Sequence, residues 1–228
     1  MNAIKHIDPL LSGKIHVFKD RYHAGRLLAN MLQQYANRKD VMVLAIPAGG
    51  IPVGLEVSKN LSVPFDIILV RKIQIPWNKE AGFGALTLNG EIVLNNILIK
   101  SLGLTETDLK EAVSNARRTL LVRSKKFGGD RSKIILEDKI VILVDDGLAS
   151  GYTMLAAVKA VKKKKPKRII VAVPTAAEEA LQLLHREVDE IFCLNLRGGF
   201  LFAVADAYKH WRDLTDEEVV NLLRKRDL

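Results

Sequence analysis

Apolar and polar positions along the chain alternate between two rhythms. Val41–Ile46, Ile67–Val70, Ile140–Val144, Ile169–Val173 and Ile191–Leu194 are uninterrupted apolar runs rich in β-branched residues. Runs of this length, with no polar alternation, predict strands buried on both faces. Between them the spacing is helical. Ala24, Leu27, Leu28, Met31, Leu32 and Tyr35 make one stripe, Val53, Val57 and Leu61 a second, and Leu109, Val113, Ala116 and Leu120 a third. Pro52 suits a first helical turn, Pro64 follows the end of that helix, and Thr105 is placed to cap the long third helix. Gly128-Gly129 closes the third helical region, and two more helices are predicted at roughly 153–165 and 176–187. Ala81–Leu88 and Glu91–Leu94 flank Asn89-Gly90, whose residues accept the positive φ of a type I′ turn, so a β-hairpin is expected there. The pattern predicts one domain with an α/β, doubly wound, mainly parallel open sheet of five core strands plus a hairpin. Ligands of such sheets sit beyond the carboxyl ends of the strands, so functional residues are expected after positions 46, 70, 144, 173 and 194.

Composition narrows the classes. The chain has 228 residues, 48% apolar and 27% charged, which excludes a disordered protein. The longest uncharged run, Val41–Leu55, is broken by Pro47, Gly49, Gly50 and Pro52 and is too short for a bilayer span of about 20 residues. The first twenty residues carry no apolar stretch of signal-peptide length, and the single cysteine, Cys193, allows no intrachain disulfide. A reducing, cytoplasmic setting is expected. The five histidines show no metal-ligand spacing, and Cys193 lies in an apolar run, expected buried and inert. The net charge of +9 leaves two readings open, a nucleic acid or an anionic small substrate. The densest positive cluster is Lys162–Lys165 with Lys167 and Arg168, expected as a solvated run closing a helix. No aromatic residue interleaves it, which argues against a single-strand stacking platform.

The most informative segment is Val141-Ile142-Leu143-Val144-Asp145-Asp146 followed by Gly147-Leu148-Ala149-Ser150-Gly151-Tyr152-Thr153. An apolar strand ends in two adjacent carboxylates, and a small-residue loop then opens a helix. Free N–H groups at that helix start, with the Ser150 and Thr153 hydroxyls, would cradle a phosphate. Two carboxylates beside the cradle suit ribose hydroxyls or a Mg²⁺ shared with a diphosphate. No G-x-x-x-x-G-K-[ST] or G-x-G-x-x-G pattern occurs, which weakens nucleoside-triphosphate and dinucleotide readings.

This segment resembles the phosphoribosyl-pyrophosphate motif of type I phosphoribosyltransferases, with Ser150 in place of a threonine and Tyr152 bulkier than the residue often found there. Ala45-Ile46-Pro47-Ala48-Gly49-Gly50-Ile51-Pro52-Val53 resembles the family's pyrophosphate loop after the first strand. Arg71-Lys72 resembles its basic pyrophosphate contact, and residues 73–95, hairpin included, its mobile loop. Phe18-Lys19-Asp20-Arg21, Arg71-Lys72-Ile73 with Asn78 and Glu80, Phe202-Ala203-Val204 and Thr215-Asp216-Glu217-Glu218-Val219 are similar to an uncharacterised branch of the family. The resemblance implies a core over about 18–194, a mobile loop at 73–95 and a small C-terminal hood over about 195–228.

It also implies an activity: Mg²⁺-dependent transfer of a 5-phosphoribosyl group from phosphoribosyl pyrophosphate to an acceptor, with release of pyrophosphate. Asp145 and Asp146 would hold the ribose hydroxyls, directly or through Mg²⁺-bound water. Gly147, Leu148, Ala149, Ser150, Gly151, Tyr152 and Thr153 would bind the 5-phosphate. The Ala48 and Gly49 backbone, Arg71 and Lys72 would meet the pyrophosphate, with Lys72 also taken as catalytic. Lys79 or Glu80 on the mobile loop could complete the site. Hypoxanthine-guanine enzymes carry an aspartate where this chain has Ala149; that departure selects neither adenine, orotate, uracil nor a non-nucleobase acceptor. Phe200, Phe202, Tyr208 and Trp211 would pack the hood, or place one ring on the acceptor; Arg197-Gly198-Gly199 would border it. Trp77 would cover the closed site or a subunit neighbour, since family members are often homodimers. A second function stays open, a donor-sensing regulator that touches RNA. DNA is not expected, because only 40 residues precede the first predicted strand. A third is an inactive, oligomer-forming relative.

Overall fold

Strands buried on both faces need apolar side chains on both sides, and the uninterrupted runs supply them. The computed structural model describes residues 2–128, 134–199 and 202–226, without the side chains of Lys79 and Arg226. Gly129 and Phe200, singled out above, lie outside the described residues.

The elements follow in chain order as β1 (Ile4–Ile7), α1 (Arg21–Met31), β2 (Val41–Ala45), α2 (Gly50–Leu61), β3 (Phe65–Ile67), β4 (Val70–Ile75), β5 (Asn78–Thr87), β6 (Ile92–Leu94), α3 (Asn96–Ser101), α4 (Glu106–Lys126), β7 (Ile140–Val144), α5 (Tyr152–Lys162), β8 (Arg168–Ala177), α6 (Glu178–Leu184), β9 (Glu190–Arg197) and α7 (Asp216–Arg226). The main sheet has the order β1-β9-β8-β7-β2-β3, parallel throughout. Alternate strand residues divide its two faces. Val43, Ile142, Ile170 and Phe192 pack with α1, α2, α4 and α7. Leu44, Leu143, Val171 and Cys193 pack with α5 and α6 on the other face. The sheet is therefore doubly wound, as the pattern predicts, and Cys193 is buried and free. No helix among the described residues is long and apolar enough to cross a membrane.

The structure departs from the pattern in instructive places. The sheet has a sixth strand, β1, whose Lys5 and His6 interrupt any apolar run because it lies at an edge. It also puts a strand ahead of the first one predicted. The predicted strand Ile67–Val70 is split: β3 ends at Ile67, and Val70 opens β4 in a second, antiparallel sheet of β4, β5 and β6. Arg71 and Lys72 therefore lie within β4 and do not follow a core strand. Helices α5 and α6 end three residues earlier than predicted, at Lys162 and Leu184, and Lys165 turns left-handed at φ 51°. Helices α3 and α7 were not foreseen, since α3 has no buried residue and α7 is rich in charge.

Thr105 and Asp108 form a reciprocal capping box at the start of α4. At the opposite end of the sheet from the strand carboxyl termini, Glu190 is buried at the start of β9. It accepts hydrogen bonds from the Tyr35 hydroxyl (2.5 Å) and Arg168, and His6 Nε2 lies 2.8 Å away. Burial and then the Glu190 bond push the Tyr35 hydroxyl up to about 12. Replacing Glu190 with alanine strands that hydroxyl, and urea unfolding should register a loss of about 1–3 kcal/mol.

Candidate active site

Strands β2 and β7 are neighbours, but the helices that follow them cover opposite faces of the sheet. The crevice between their carboxyl ends is the switch point where ligands of open α/β sheets bind. Two loops meet there, Ile46–Gly49 after β2 and Asp145–Gly151 after β7. Their approach is closer than any side chain allows. A Cβ on Gly49 would fall 1.8 Å from Asp146 Oδ2, and one on Gly50 would fall 2.9 Å from the Val144 carbonyl oxygen and 3.0 Å from Asp145 Cα. The Pro47–Ala48 peptide is cis.

Asp145 and Asp146 are adjacent and largely buried, yet their surroundings differ. Asp145 Oδ1 accepts the Asp146 amide at 2.9 Å, and the two carboxyl groups lie within hydrogen-bond reach of each other. Burial, followed by the Asp146 charge, holds the Asp145 carboxyl well above the usual carboxylate range. Burial raises Asp146 as well, but Arg21 opposes it by donating from Nε to Asp146 Oδ2 at 2.8 Å. The Asp146 carbonyl accepts the Tyr208 hydroxyl at 2.6 Å. Arg21, Tyr208 and Trp211 thus bear on the acidic pair. The motif that contains Arg21 is visible in the sequence, but nothing in its spacing shows that the side chain reaches Asp146, 125 residues away.

The loop beyond the pair opens α5. Gly151 stands at its N-cap with φ 78°, a left-handed conformation that favours glycine, and no side chain caps the helix. Its first N–H groups are left for another acceptor, and the Ser150 and Thr153 hydroxyls bond nothing among the described residues. Gly147 leaves room for Val204, which a Cβ would meet at 2.5 Å.

A cavity of about 780 Å³ joins these parts. Of the predicted site residues, Ala48, Gly49, Arg71, Lys72, Glu80, Asp145, Asp146, Gly147, Leu148, Ala149, Ser150, Gly151 and Thr153 line it. Tyr152 does not; its side chain packs against the apolar core on the α5 side. Arg71 has no hydrogen-bond or ion-pair partner among the described residues, and Lys72 Nζ donates to the Glu80 carbonyl. Burial lowers both cations from their ordinary values. Residues 73–95 are anchored at their base, where Ile73, Phe83 and Leu86 are buried; Trp77 at the tip is 65% exposed. Arg123 from α4 and Trp211, Asp213 and Leu214 also line the cavity, unpredicted as site residues except for Trp211. Arg197 and Phe202 do not line it; they lie against each other, with the guanidinium carbon 5.8 Å from the ring centre.

The two loops, the acid pair and the uncapped helix start give one cleft suited to a phosphorylated sugar. A family model described as "Phosphoribosyl transferase domain" matches residues 19–207. The chain belongs to that family. It is 34% identical over 207 residues to "Putative phosphoribosyl transferase Rv0571c" of Mycobacterium tuberculosis strain H37Rv, covering 91% of this chain and 46% of the relative. The chain thus spans about half the length of the curated relatives it matches. The crystal structure of TT1426 from Thermus thermophilus superposes with a TM-score of 0.71 at 34% identity, over 91% of this chain and 98% of that one. The structure of AQ2163 from Aquifex aeolicus, at 14% identity and a TM-score of 0.51 over 82% and 78% of the two chains, shares the fold.

Two outcomes follow for this phosphoribosyl transferase domain. Gly49→Ala forces the two loops apart, and urea unfolding should show a cost of about 1–3 kcal/mol. Asp145 has a carboxyl raised in the folded state, so the folded protein binds the proton more tightly than the unfolded chain does. The stability linked to that proton is present at acid pH and lost as pH rises through the folded value. Asp145→Asn keeps an oxygen for the Asp146 amide and removes the buried charge. Its melting temperature should exceed the wild type's at pH 7, and the gap should shrink as pH falls.

Proposed function

We propose that this domain transfers the 5-phosphoribosyl group of phosphoribosyl pyrophosphate to the ring nitrogen of a heterocyclic acceptor, releasing pyrophosphate. The observation that carries the reading is the single cavity in which the acid pair, the uncapped α5 start, the Gly49 loop and two cations meet. In the reaction the bond from C1 to the diphosphate oxygen breaks, and the acceptor nitrogen forms a new bond to C1. Positive charge grows on the sugar ring and negative charge on the leaving diphosphate, so the demand on the protein is electrostatic. Asp145 and Asp146 hold the 2- and 3-hydroxyls and fix the ring. The N–H groups at the start of α5, with Ser150 and Thr153, take the 5-phosphate. Backbone at Ala48 and Gly49, with Arg71 and Lys72, takes the departing diphosphate. The tip around Trp77 to Glu80 closes over the cleft and keeps out water, which competes as nucleophile.

No cluster of three or more metal-ligating side chains occurs among the described residues. That donor set still suits Mg²⁺, which binds through one or two carboxylates plus substrate phosphates and water. Asp145 and Asp146, adjacent carboxylates that line the cavity, would hold it; when bound, it would supply polarisation of the leaving diphosphate.

The regulatory RNA reading gains nothing from the lysine run. Lys162 pairs with Glu187, Lys163 with Glu91, and Lys164 donates to the Ile134 carbonyl. Pyrophosphate release from protein, donor and Mg²⁺ against a panel of nitrogen heterocycles tests the proposal. Release with at least one acceptor is expected, reduced a hundredfold or more in Asp145→Ala and Asp146→Ala. Release indifferent to both changes, or RNA binding that responds to donor with no release at all, would overturn it.

A further inference from the structure

Asp146 is held at its carbonyl by the segment that follows β9 and at its carboxylate by the first residue of α1. Tyr208 holds its carbonyl at 2.6 Å, and Arg21 holds its carboxylate at 2.8 Å. Arg21 is itself clamped. Its Nη1 donates to the Arg212 carbonyl at 2.8 Å, and its guanidinium carbon lies 3.9 Å from the centre of the Trp211 ring. Trp211 leans on Tyr208 with ring centres 5.2 Å apart, and Tyr208 leans on Phe18 at 5.5 Å. Backbone bonds from Lys209 to the Phe18 carbonyl (2.8 Å) and from His210 to the Lys19 carbonyl (3.0 Å) tie the same stretch to the residues leading into α1. Arg21 is only 8% exposed, and its exposed part faces the cavity.

A guanidinium serves this arrangement in a way an ammonium cannot. It is planar, so it lies flat on an indole while donating edgewise in two directions. Here one edge meets the acid and the other a carbonyl of the stretch that carries the indole. The Trp211 face turned to Arg21 is therefore occupied by the protein's own cation.

We propose that Arg21 is a positioning residue through which Trp211 and Arg212 set the Asp146 carboxylate for the ribose hydroxyls, so that C-terminal packing governs donor affinity. The proposal rests on the acid pair being the donor site, as argued above. A merely structural ion pair would move stability and leave donor binding alone once the protein is folded.

The test is calorimetric titration with phosphoribosyl pyrophosphate and Mg²⁺, alongside thermal melts. Wild type, Arg21→Gln, Arg21→Lys, Trp211→Leu and the Arg21→Gln/Trp211→Leu double variant are compared. Expected are a loss of donor affinity of at least fivefold in Arg21→Gln and in Trp211→Leu, partial rescue by Arg21→Lys, and a double variant no weaker than Arg21→Gln. In a Trp77→Phe background, which leaves Trp211 as the sole tryptophan, donor should change the emission of the parent and not that of Arg21→Gln. Losses under fivefold in folded Arg21→Gln or Trp211→Leu, or losses that add in the double variant, overturn the proposal. Should Arg21→Gln fail to fold, Trp211→Leu decides by the same fivefold criterion. A wild type that binds no donor removes the donor-site reading first, and this proposal with it.

Discussion

Two neighbouring carboxylates held away from water repel each other and lose hydration, and a fold that keeps them there must compensate. The compensation here is asymmetric. Asp146 receives a guanidinium on its side chain and a phenol on its carbonyl, whereas Asp145 receives one backbone amide and no cation. Much of the architecture around the cleft follows from this. The first turn of α1 must bring Arg21 over the end of β7, and the chain after β9 must fold back to lay Trp211 on Arg21. The loop after β2 must approach without side chains at Gly49 and Gly50. Burial holds the Asp145 carboxyl above the usual carboxylate range, and perturbed carboxyls of this kind cluster where residues bind or react.

The sheet supplies the frame. Neighbouring parallel strands bring their carboxyl ends to one edge, and the change of helix side between β2 and β7 opens the crevice there. The second sheet is a wall of that crevice. Its strands pack between α4 and α5, with Val70, Ala85 and Val93 on the α5 side and Ile73 and Phe83 in the core that includes α4. Arg71 and Lys72 are presented by this rigid strand, while Trp77 projects from its tip. Gly82 makes the presentation of Lys72 workable, since a Cβ there would meet Lys72 Cγ at 2.3 Å.

Much of this was legible in the sequence because its causes are local. Apolar runs mark strands whose both faces are covered, and Val141–Thr153 carries strand, acids, loop and helix start within thirteen consecutive residues. What escaped depends on partners far along the chain. β1 is an edge strand with no buried residue, so its pattern is weak. Ile67–Val70 reads as one run because nothing local says that the chain leaves one sheet and joins another within it. Arg21 meets Asp146 and Trp211, 125 and 190 residues away, and no periodicity records such contacts. The net charge points two ways, and the lysine run, largely paired with acids and carbonyls, lends the nucleic-acid reading no support.

The most direct measurement is a crystal structure of the domain with phosphoribosyl pyrophosphate and Mg²⁺. The 5-phosphate should sit at the start of α5 against Ser150 and Thr153, the ribose hydroxyls on Asp145 and Asp146, and the diphosphate between the Gly49 loop and Arg71. A donor seated outside this cleft, or one whose ribose avoids both acids, would contradict the assignment of the acid pair.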